Sequence, residues 1–131
     1  MIFQSKQTVN GSPLWAVDTD TQTVTHINPK SGETERYVFH TDQIRYHLHH
    51  VEEFFPDRLQ KLVEDGEIYK YLDELDIKVT DAVTRQEELL KKSNMEFQIA
   101  NEIGDLYKVG AIGNMLQMQA RDSVFKAMVY V

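Results

Sequence analysis

Short apolar and β-branched runs alternate with turn-forming residues through the first forty positions, and this pattern predicts strands. The runs lie at residues 2–9, 14–17, 23–27 and 37–39. Between the first two, Asn10-Gly11-Ser12-Pro13 supplies a positive-φ glycine and a fixed-φ proline for a turn. We therefore expect a small antiparallel β-meander of three or four strands. Since so small a sheet needs backing, six of its residues should pack partly against the helices: Trp15, Val17, Val24, Ile27, Tyr37 and Phe39.

From Thr41 the apolar period changes from about two to about 3.6 residues, which predicts helices. Thr41 is the expected N-cap of the first. Its apolar face would be Ile44, Leu48, Val51 and Phe55. Pro56 should end this helix and open a short second one, which Gly66 should end. The buried face of the second helix would be Leu59, Leu62 and Val63.

Two further helical segments keep a seven-residue register, which is typical of packing seams. The first begins at Glu67 or Ile68, with the seam Ile68, Leu72, Leu75, Val79, Ala82, Gln86 and Leu89. Ser93-Asn94-Met95-Glu96 matches a capping box for the next helix, so the two should form a hairpin. The second seam is Ile99, Ile103, Leu106, Gly110, Gly113, Gln117, Ala120, Val124, Ala127 and Val131. Gly104, Gly110 and Gly113 either permit close packing or mark a kink.

Together these elements predict an α+β fold, in which a small N-terminal antiparallel β-meander precedes a mainly helical bundle with a long αα-hairpin. The length of 131 residues predicts a single domain, with a β-meander subregion at 1–40 and a helical subregion at 41–131. There is no cysteine, no signal-peptide pattern and no run long enough to span a bilayer. We therefore expect a cytoplasmic protein that does not bind membranes. The apolar ending 127–131 should be held in the fold or in a subunit interface.

Charge is concentrated in the middle of the chain. Residues 42–88 hold thirteen acids and six bases, whereas residues 89–131 hold four acids and five bases. Because binding to phosphate backbones needs a concentrated basic face, direct nucleic-acid binding is disfavoured. Acidic residues of the helical region are the first candidates for partner binding: Glu64, Asp65, Asp73, Glu74, Asp76, Asp81, Glu87 and Glu88.

No residue pattern indicates catalysis or a cofactor. The histidine cluster offers His47, His50 and Glu53 at spacings of three, and such a set could ligate a divalent metal, but a boundary histidine beside solvated ones explains it better. The adjacent acidic residues are better explained as part of a solvent-exposed helix face than as a general acid and base of an active site. No serine lies in a nucleophile elbow, and no glycine run resembles a phosphate loop. We therefore expect a protein that is not an enzyme.

Methionines near the C-terminal end suggest an adaptable apolar patch, although core filling is their commoner use. These are Met115, Met118 and Met128, with Leu116 and Phe125. A self-association seam would use Ile68, Leu72, Leu75, Val79, Ile103, Leu106, Gly110, Gly113, Ala120 and Val124. The expected partner is another protein, and self-association would give a homodimer.

Residues 42–131 resemble the transposon-encoded protein TnpV family. The resemblance lies first in Pro56-Asp57-Arg58-Leu59-Gln60-Lys61-Leu62, continuing through Gly66, Tyr71-Leu72 and Asp76. It returns near the end at Asn114, Leu116, Ala120, Val124, Val129 and Tyr130. Where the family has arginines beside the asparagine, this chain has Gln117, Met118 and Gln119.

The resemblance implies an accessory protein of a mobile element, such as a transposon, conjugative element or phage, and it transfers no catalytic residue. On this basis the leading hypothesis is a non-enzymatic accessory protein that acts through protein–protein binding or self-association. The alternative is an inhibitor of a host defence nuclease, similar to an anti-CRISPR, that uses the acidic helical surface. A nucleic-acid-binding regulator using residues 89–131 is the weaker alternative.

Overall fold

The computed structural model describes all 131 residues, Met1–Val131. Six strands come first: β1 Ile2–Gln4, β2 Thr8–Val9, β3 Ser12–Pro13, β4 Trp15–Asp18, β5 Thr23–Ile27 and β6 Thr34–Val38. Five helices follow: α1 Asp42–Phe54, α2 Pro56–Glu64, α3 Ile68–Ser93, α4 Met95–Ile103 and α5 Leu106–Met128. The predicted α+β fold, with an N-terminal antiparallel meander ahead of a mainly helical region, is confirmed.

The sheet contains four antiparallel strands in the order β1-β4-β5-β6, with β2 and β3 paired separately as a small hairpin. The prediction of one strand over residues 2–9 is therefore wrong. Buried Ser5 interrupts it, since its hydroxyl donates to the Gln7 carbonyl at 2.9 Å and accepts from the Trp15 amide at 3.0 Å. Asn10 and Gly11 then form the hairpin turn with positive φ angles of 54° and 82°. Two-residue turns of this kind match the right-handed twist of the strands that they connect.

One face of the sheet packs in the core and the other faces solvent. Val17 pairs with Val24, and both side chains are fully buried. Ile27 is three residues from Val24, so it points to the opposite face. There it lines a shallow groove with Thr23, Thr25 and Arg36. The expectation that Ile27 packs with Val24 against the helices is wrong because an odd spacing along a strand reverses the side chain.

Helices α1 and α2 begin and end close to the predicted positions. Thr41 is the N-cap of α1, but its hydroxyl makes no capping bond and instead donates to Asp76 Oδ1 at 2.7 Å. Pro56 is the first residue of α2. Phe55, which was expected on the buried face of α1, lies between the two helices and is 45% exposed. Its displacement follows from Pro56, which excludes helical geometry at the preceding residue.

The chain divides into two compact units. The sheet unit consists of Met1–Asp76 with Val129–Val131, and the helical unit consists of Ile77–Met128. The division falls inside α3 rather than near residue 41, so the boundary between the predicted subregions does not coincide with it. The expectation of a single domain stays a prediction.

The sheet unit holds a continuous hydrophobic core. Its members come from β1, β4, β5, the connection between β6 and α1, the helices α1 and α2, and the first turns of α3: Phe3, Val17, Val24, Phe39, Ile44, Leu48, Val51, Leu59, Val63, Ile68 and Leu72. Trp15, Tyr37, Leu62, Tyr69, Tyr71 and Leu75 pack around it. Each fully buried aliphatic side chain contributes about 1.5–3 kcal/mol to the free energy of unfolding, so this core accounts for much of the stability of the unit.

The helical unit contains a break that the sequence left open. Gly104 ends α4 in the left-handed region, at φ +73°. Gly113 instead permits a close approach, because a Cβ there would lie 3.6 Å from the Phe97 ring, while Gly110 has nothing within 4 Å. Of the two readings of the glycines, a break holds for Gly104 and close packing for Gly113.

Two further expectations about the helical unit are corrected. The N-cap of α4 is Asn94, whose Oδ1 accepts from the Phe97 amide at 2.8 Å. Ser93 is still part of α3 and donates to the Leu89 carbonyl at 3.0 Å, so the predicted capping box does not form and the Asn94 side chain alone caps α4. Across the turn that follows α3, Gln98 Nε2 donates to the Lys91 carbonyl at 2.7 Å, but α4 packs chiefly against α5. No helix of the chain has the length and apolarity needed to cross a bilayer.

Candidate functional site

Several large apolar side chains of α4 and α5 are exposed to solvent. Leu106 is 82% exposed and Tyr107 is 86% exposed, values far above those of a side chain that packs within its own fold. We call these residues the apolar surface, and its members are Met95, Ile99, Ile103, Leu106, Tyr107, Met115 and Met118. Soluble monomers rarely leave such groups of residues uncovered, and exposed apolar patches mark binding surfaces.

Helix geometry explains how the apolar surface is built. On α4, Met95, Ile99 and Ile103 recur every fourth residue and so share one face. Ala100, which lies about 100° around the helix from Ile99, faces inward and is 1% exposed. On α5, Leu116 and Ala120 are buried at 3% and 0%, and Tyr107 and Met118 lie on the other side of the helix. Each helix therefore has one packed face and one uncovered apolar face.

The turn between the two helices is well specified. The Asp105 amide donates to the Ala100 carbonyl at 3.0 Å and the Gly104 amide donates to the Asn101 carbonyl at 3.3 Å, which together form a Schellman ending. Asp105 Oδ1 then accepts from the Lys108 amide at 3.2 Å at the start of α5. Leu106 and Tyr107 occupy the first turn of α5, so an ordered backbone presents them to solvent.

The net charge is distributed unequally between the units. The helical unit holds seven acids and seven bases, whereas the sheet unit holds fourteen acids and seven bases. The formal charge of −7 therefore belongs entirely to the sheet unit, and the apolar surface lies on a unit without net charge. Contact between two copies of this unit would bring together no excess of like charge from the unit itself.

The eight predicted partner-binding acids do not form one site. Three of them have partners inside the chain. Glu64 accepts from the Lys6 amide at 3.1 Å, Asp76 Oδ1 accepts from Gln43 Nε2 at 2.8 Å, and Glu87 pairs with Lys91 at 2.9 Å. Asp73 is partly buried beside Asp76, and the remaining four acids, Asp65, Glu74, Asp81 and Glu88, are exposed. Their role in partner binding stays a prediction.

The predicted self-association seam divides between core and solvent. Ile68, Leu72 and Leu75 belong to the core of the sheet unit or pack against it, and Val79, Ala120 and Val124 are buried. Such residues hold the fold and are not available to a partner. Ile103 and Leu106 belong to the apolar surface, and Gly110 is exposed while Gly113 is partly buried. The assumption of one continuous seam fails because Gly104 resets the helical register between α4 and α5. Three further residues of the two predicted seven-residue registers are also exposed: Leu89 at 61%, Ile99 at 52% and Val131 at 49%.

The histidine cluster has a structural arrangement. His47 is 1% exposed; its Nδ1 lies 2.8 Å from the Val129 carbonyl and its Nε2 lies 2.7 Å from the Tyr71 hydroxyl. Since a carbonyl only accepts, Nδ1 carries the hydrogen and Nε2 accepts from Tyr71. Burial lowers the pKa of His47 below its ordinary value of 6.5. Both ring nitrogens are engaged, and no group of three potential metal ligands is present.

The end of the chain is bound to the sheet unit. Besides the bond from His47, the Val131 carbonyl accepts from Arg58 Nη2 at 2.8 Å, and the Tyr130 ring stacks beside Tyr46 at 6.4 Å between centroids. Val129 is fully buried. The sequence predicted this attachment from apolarity, but it gave no indication that His47 is the residue that makes it.

Sequence reasoning located only part of the apolar surface. Met115 and Met118 were named as candidates for an adaptable patch, and they are 47% and 66% exposed. Tyr107 was missed because its position on a helix face depends on where α4 ends and α5 begins, and Met95 was considered only as part of a cap. The sequence did carry a signal for that break. Gly104 favours the left-handed backbone that ends a helix, and Asp105 directly after it is a good N-cap for the next helix.

No protein-family model, no curated protein and no solved structure matches this chain. The resemblance of residues 42–131 to the TnpV family therefore stays a prediction.

Proposed function

We propose that this protein is non-enzymatic and acts by protein–protein binding through the apolar surface, with a second copy of the chain as its partner. The observation that carries the proposal is the uncovered apolar face on α4 and α5, where Leu106 is 82% and Tyr107 86% exposed. Covering one such side chain contributes about 1.5–3 kcal/mol to association. Several of them together offset the loss of translational and rotational freedom.

A second copy is favoured over a charged partner by the charge balance. The helical unit has equal numbers of acids and bases, so it neither attracts a polyanion nor repels its own copy. Homodimers with two-fold symmetry bring the same patch of both subunits together. Apolar stripes on two adjoining helices suit such an interface, because helices pack through apolar ridges and grooves.

The biological setting in the proposal is a mobile genetic element, where the protein would be an accessory factor. This part rests on the resemblance of residues 42–131 to the TnpV family alone.

Sedimentation velocity over a wide concentration range tests the proposal. We expect a reversible monomer–dimer equilibrium in which Leu106→Asp raises the dissociation constant at least tenfold, because a charge would be buried in the interface. The matched control is Leu89→Asp. Leu89 is 61% exposed in the same unit but lies on α3, so this change should leave the equilibrium unaltered.

Two results would overturn the proposed partner. A wild-type chain that stays monomeric at every concentration excludes a second copy. If Leu89→Asp abolishes the dimer and Leu106→Asp does not, the interface lies on α3 and not on α4 and α5. Circular dichroism of each variant confirms that the helices are intact before either result is read.

A further inference from the structure

An aromatic pocket lies in the sheet unit, well apart in sequence from the apolar surface. It has a volume of about 280 Å³ and is lined by Tyr46, His49, His50, Glu53, Phe54 and Tyr130. Tyr46, His50 and Phe54 recur every fourth residue along α1 and so share one face. Tyr130 closes the pocket from the end of the chain, because Val129 and Val131 on either side of it are hydrogen-bonded to the sheet unit.

The rings of the pocket are close together. The His50 ring lies 5.0 Å from the Phe54 ring and 5.9 Å from the Tyr130 ring, and Tyr46 and Tyr130 are 6.4 Å apart between centroids. Aromatic faces carry partial negative charge and attract cations within about 6 Å. A cation seated among these rings would contact more than one of them.

Neighbouring rings already hold cations. The guanidinium of Arg45 lies 5.0 Å from the Tyr46 centroid, and that of Arg58 lies 5.0 Å from the Phe55 centroid. No cation–π contact in the chain involves Phe54 or Tyr130. Phe54 is 60% exposed and Tyr130 is 47% exposed, so both rings are accessible to an external group.

Glu53 supplies a negative charge at the same place. Its side chain is exposed and lines the pocket, and none of the ion pairs of the chain involves it. The surrounding unit carries the whole net charge of −7. Aromatic rings beside a carboxylate that forms no ion pair are the combination that recognises organic cations.

We propose that the aromatic pocket formed by Tyr46, Phe54 and Tyr130, with the Glu53 carboxylate, binds an organic cation of the alkylammonium or guanidinium class. The cation is either a free small molecule or the side chain of a lysine or arginine on another protein. The pocket does not depend on the apolar surface, and its test is independent of the proposed dimer.

The test follows backbone amide chemical shifts of His49, Glu53 and Tyr130 during titration of the intact chain. The first probe is tetramethylammonium, and the second is a short peptide whose only charged side chain is one arginine or lysine. The control is tert-butanol, which resembles tetramethylammonium in shape but carries no charge. We expect saturable shifts with the cations and much weaker ones with tert-butanol. Tighter binding of tetramethylammonium would identify a free small molecule, and tighter binding of the peptide would identify a protein side chain.

Variants separate the pocket from general surface attraction. Glu53→Gln and Phe54→Ala should each weaken cation binding about two- to fivefold. The controls are Glu67→Gln, an exposed acid of the same unit, and Tyr107→Ala, an exposed ring of the helical unit; both should bind as the wild type does. The proposal is overturned if no cation gives saturable shifts at these residues, if tert-butanol binds as tightly, or if the controls weaken binding equally.

Discussion

The two units end a helix in the same way but place that ending in opposite surroundings. In the sheet unit, the Glu67 amide donates to the Leu62 carbonyl and Gly66 has φ +71°. In the helical unit, the Asp105 amide donates to the Ala100 carbonyl and Gly104 has φ +73°. A Cβ at Gly66 would lie 2.9 Å from the Trp15 indole nitrogen, whereas one at Gly104 meets nothing within 4 Å.

The difference shows that one local motif serves two purposes. At Gly66 the Schellman ending brings the backbone close to Trp15 of the sheet, so it contributes to the packing of the core. At Gly104 the same ending turns the chain in open solvent and places Leu106 and Tyr107 outward. The sheet unit thus has a continuous core of eleven apolar residues, although rings such as Phe54 remain exposed, whereas the helical unit exposes the apolar surface on α4 and α5.

The largest expected contrast comes from removing one leucine from each unit. Leu48 is fully buried and Leu106 is 82% exposed. Leu48→Ala should lower the free energy of unfolding by about 2–5 kcal/mol, because it leaves a cavity. Leu106→Ala should change it by less than about 0.5 kcal/mol.

Urea unfolding at low protein concentration, where a dimer would dissociate, measures both values by circular dichroism. A cost for Leu106→Ala comparable to that of Leu48→Ala would mean that Leu106 is covered within a single chain. The distinction between the two units would then fail.

The next contrast compares the two glycines. Gly66→Ala should cost about 1–2 kcal/mol for the left-handed backbone and about 1–3 kcal/mol more for the overlap with Trp15. Gly104→Ala should cost only the backbone part, about 1–2 kcal/mol. Thermal unfolding of the two variants under the same conditions tests this order. Equal losses would show that Trp15 moves aside at no cost.

The smallest contrast is in pH dependence, and it concerns only the sheet unit, which holds all five histidines. Burial lowers the pKa of His47 in the folded chain below its ordinary value of 6.5. Its contribution to stability is complete above pH 6.5 and is lost as the pH falls below that value, because the unfolded chain takes up a proton that the folded chain does not.

Urea unfolding at pH 7 and pH 5, followed by the fluorescence of Trp15, measures this dependence. His47→Gln should lower stability at pH 7 by about 1–3 kcal/mol through the lost hydrogen bonds, and it should reduce the further loss on acidification. His49→Gln is the control, since His49 is exposed. An undiminished acid loss in His47→Gln would exclude His47 as its source.

Much of the fold was predictable because its signals are local. Pro56 and Gly66 mark helix ends through their own backbone restrictions, and the buried face of α1 follows from a four-three spacing of apolar residues. The sheet was predictable for similar reasons, except where Ser5 interrupts its first strand through bonds to residues elsewhere in the chain.

The candidate surfaces were less predictable because they depend on contacts distant in sequence. An exposed leucine and a buried one look alike in a periodic pattern, so Leu106 was placed in the same seam as Ala120. The engagement of His47 by Val129 spans 82 residues, and no pattern around either residue indicates it. Tyr130 joined the aromatic pocket only because that long-range contact brings the end of the chain back to α1.

The return of Val129–Val131 to the sheet unit has a consequence for synthesis on the ribosome. All residues of the helical unit are translated before Val129, so the Nδ1 hydrogen of His47 lacks its final acceptor until the rest of the chain has been made. A buried donor without an acceptor is costly, and contacts of such long sequence separation form slowly. The sheet unit, although its strands and first helices emerge first, is completed last.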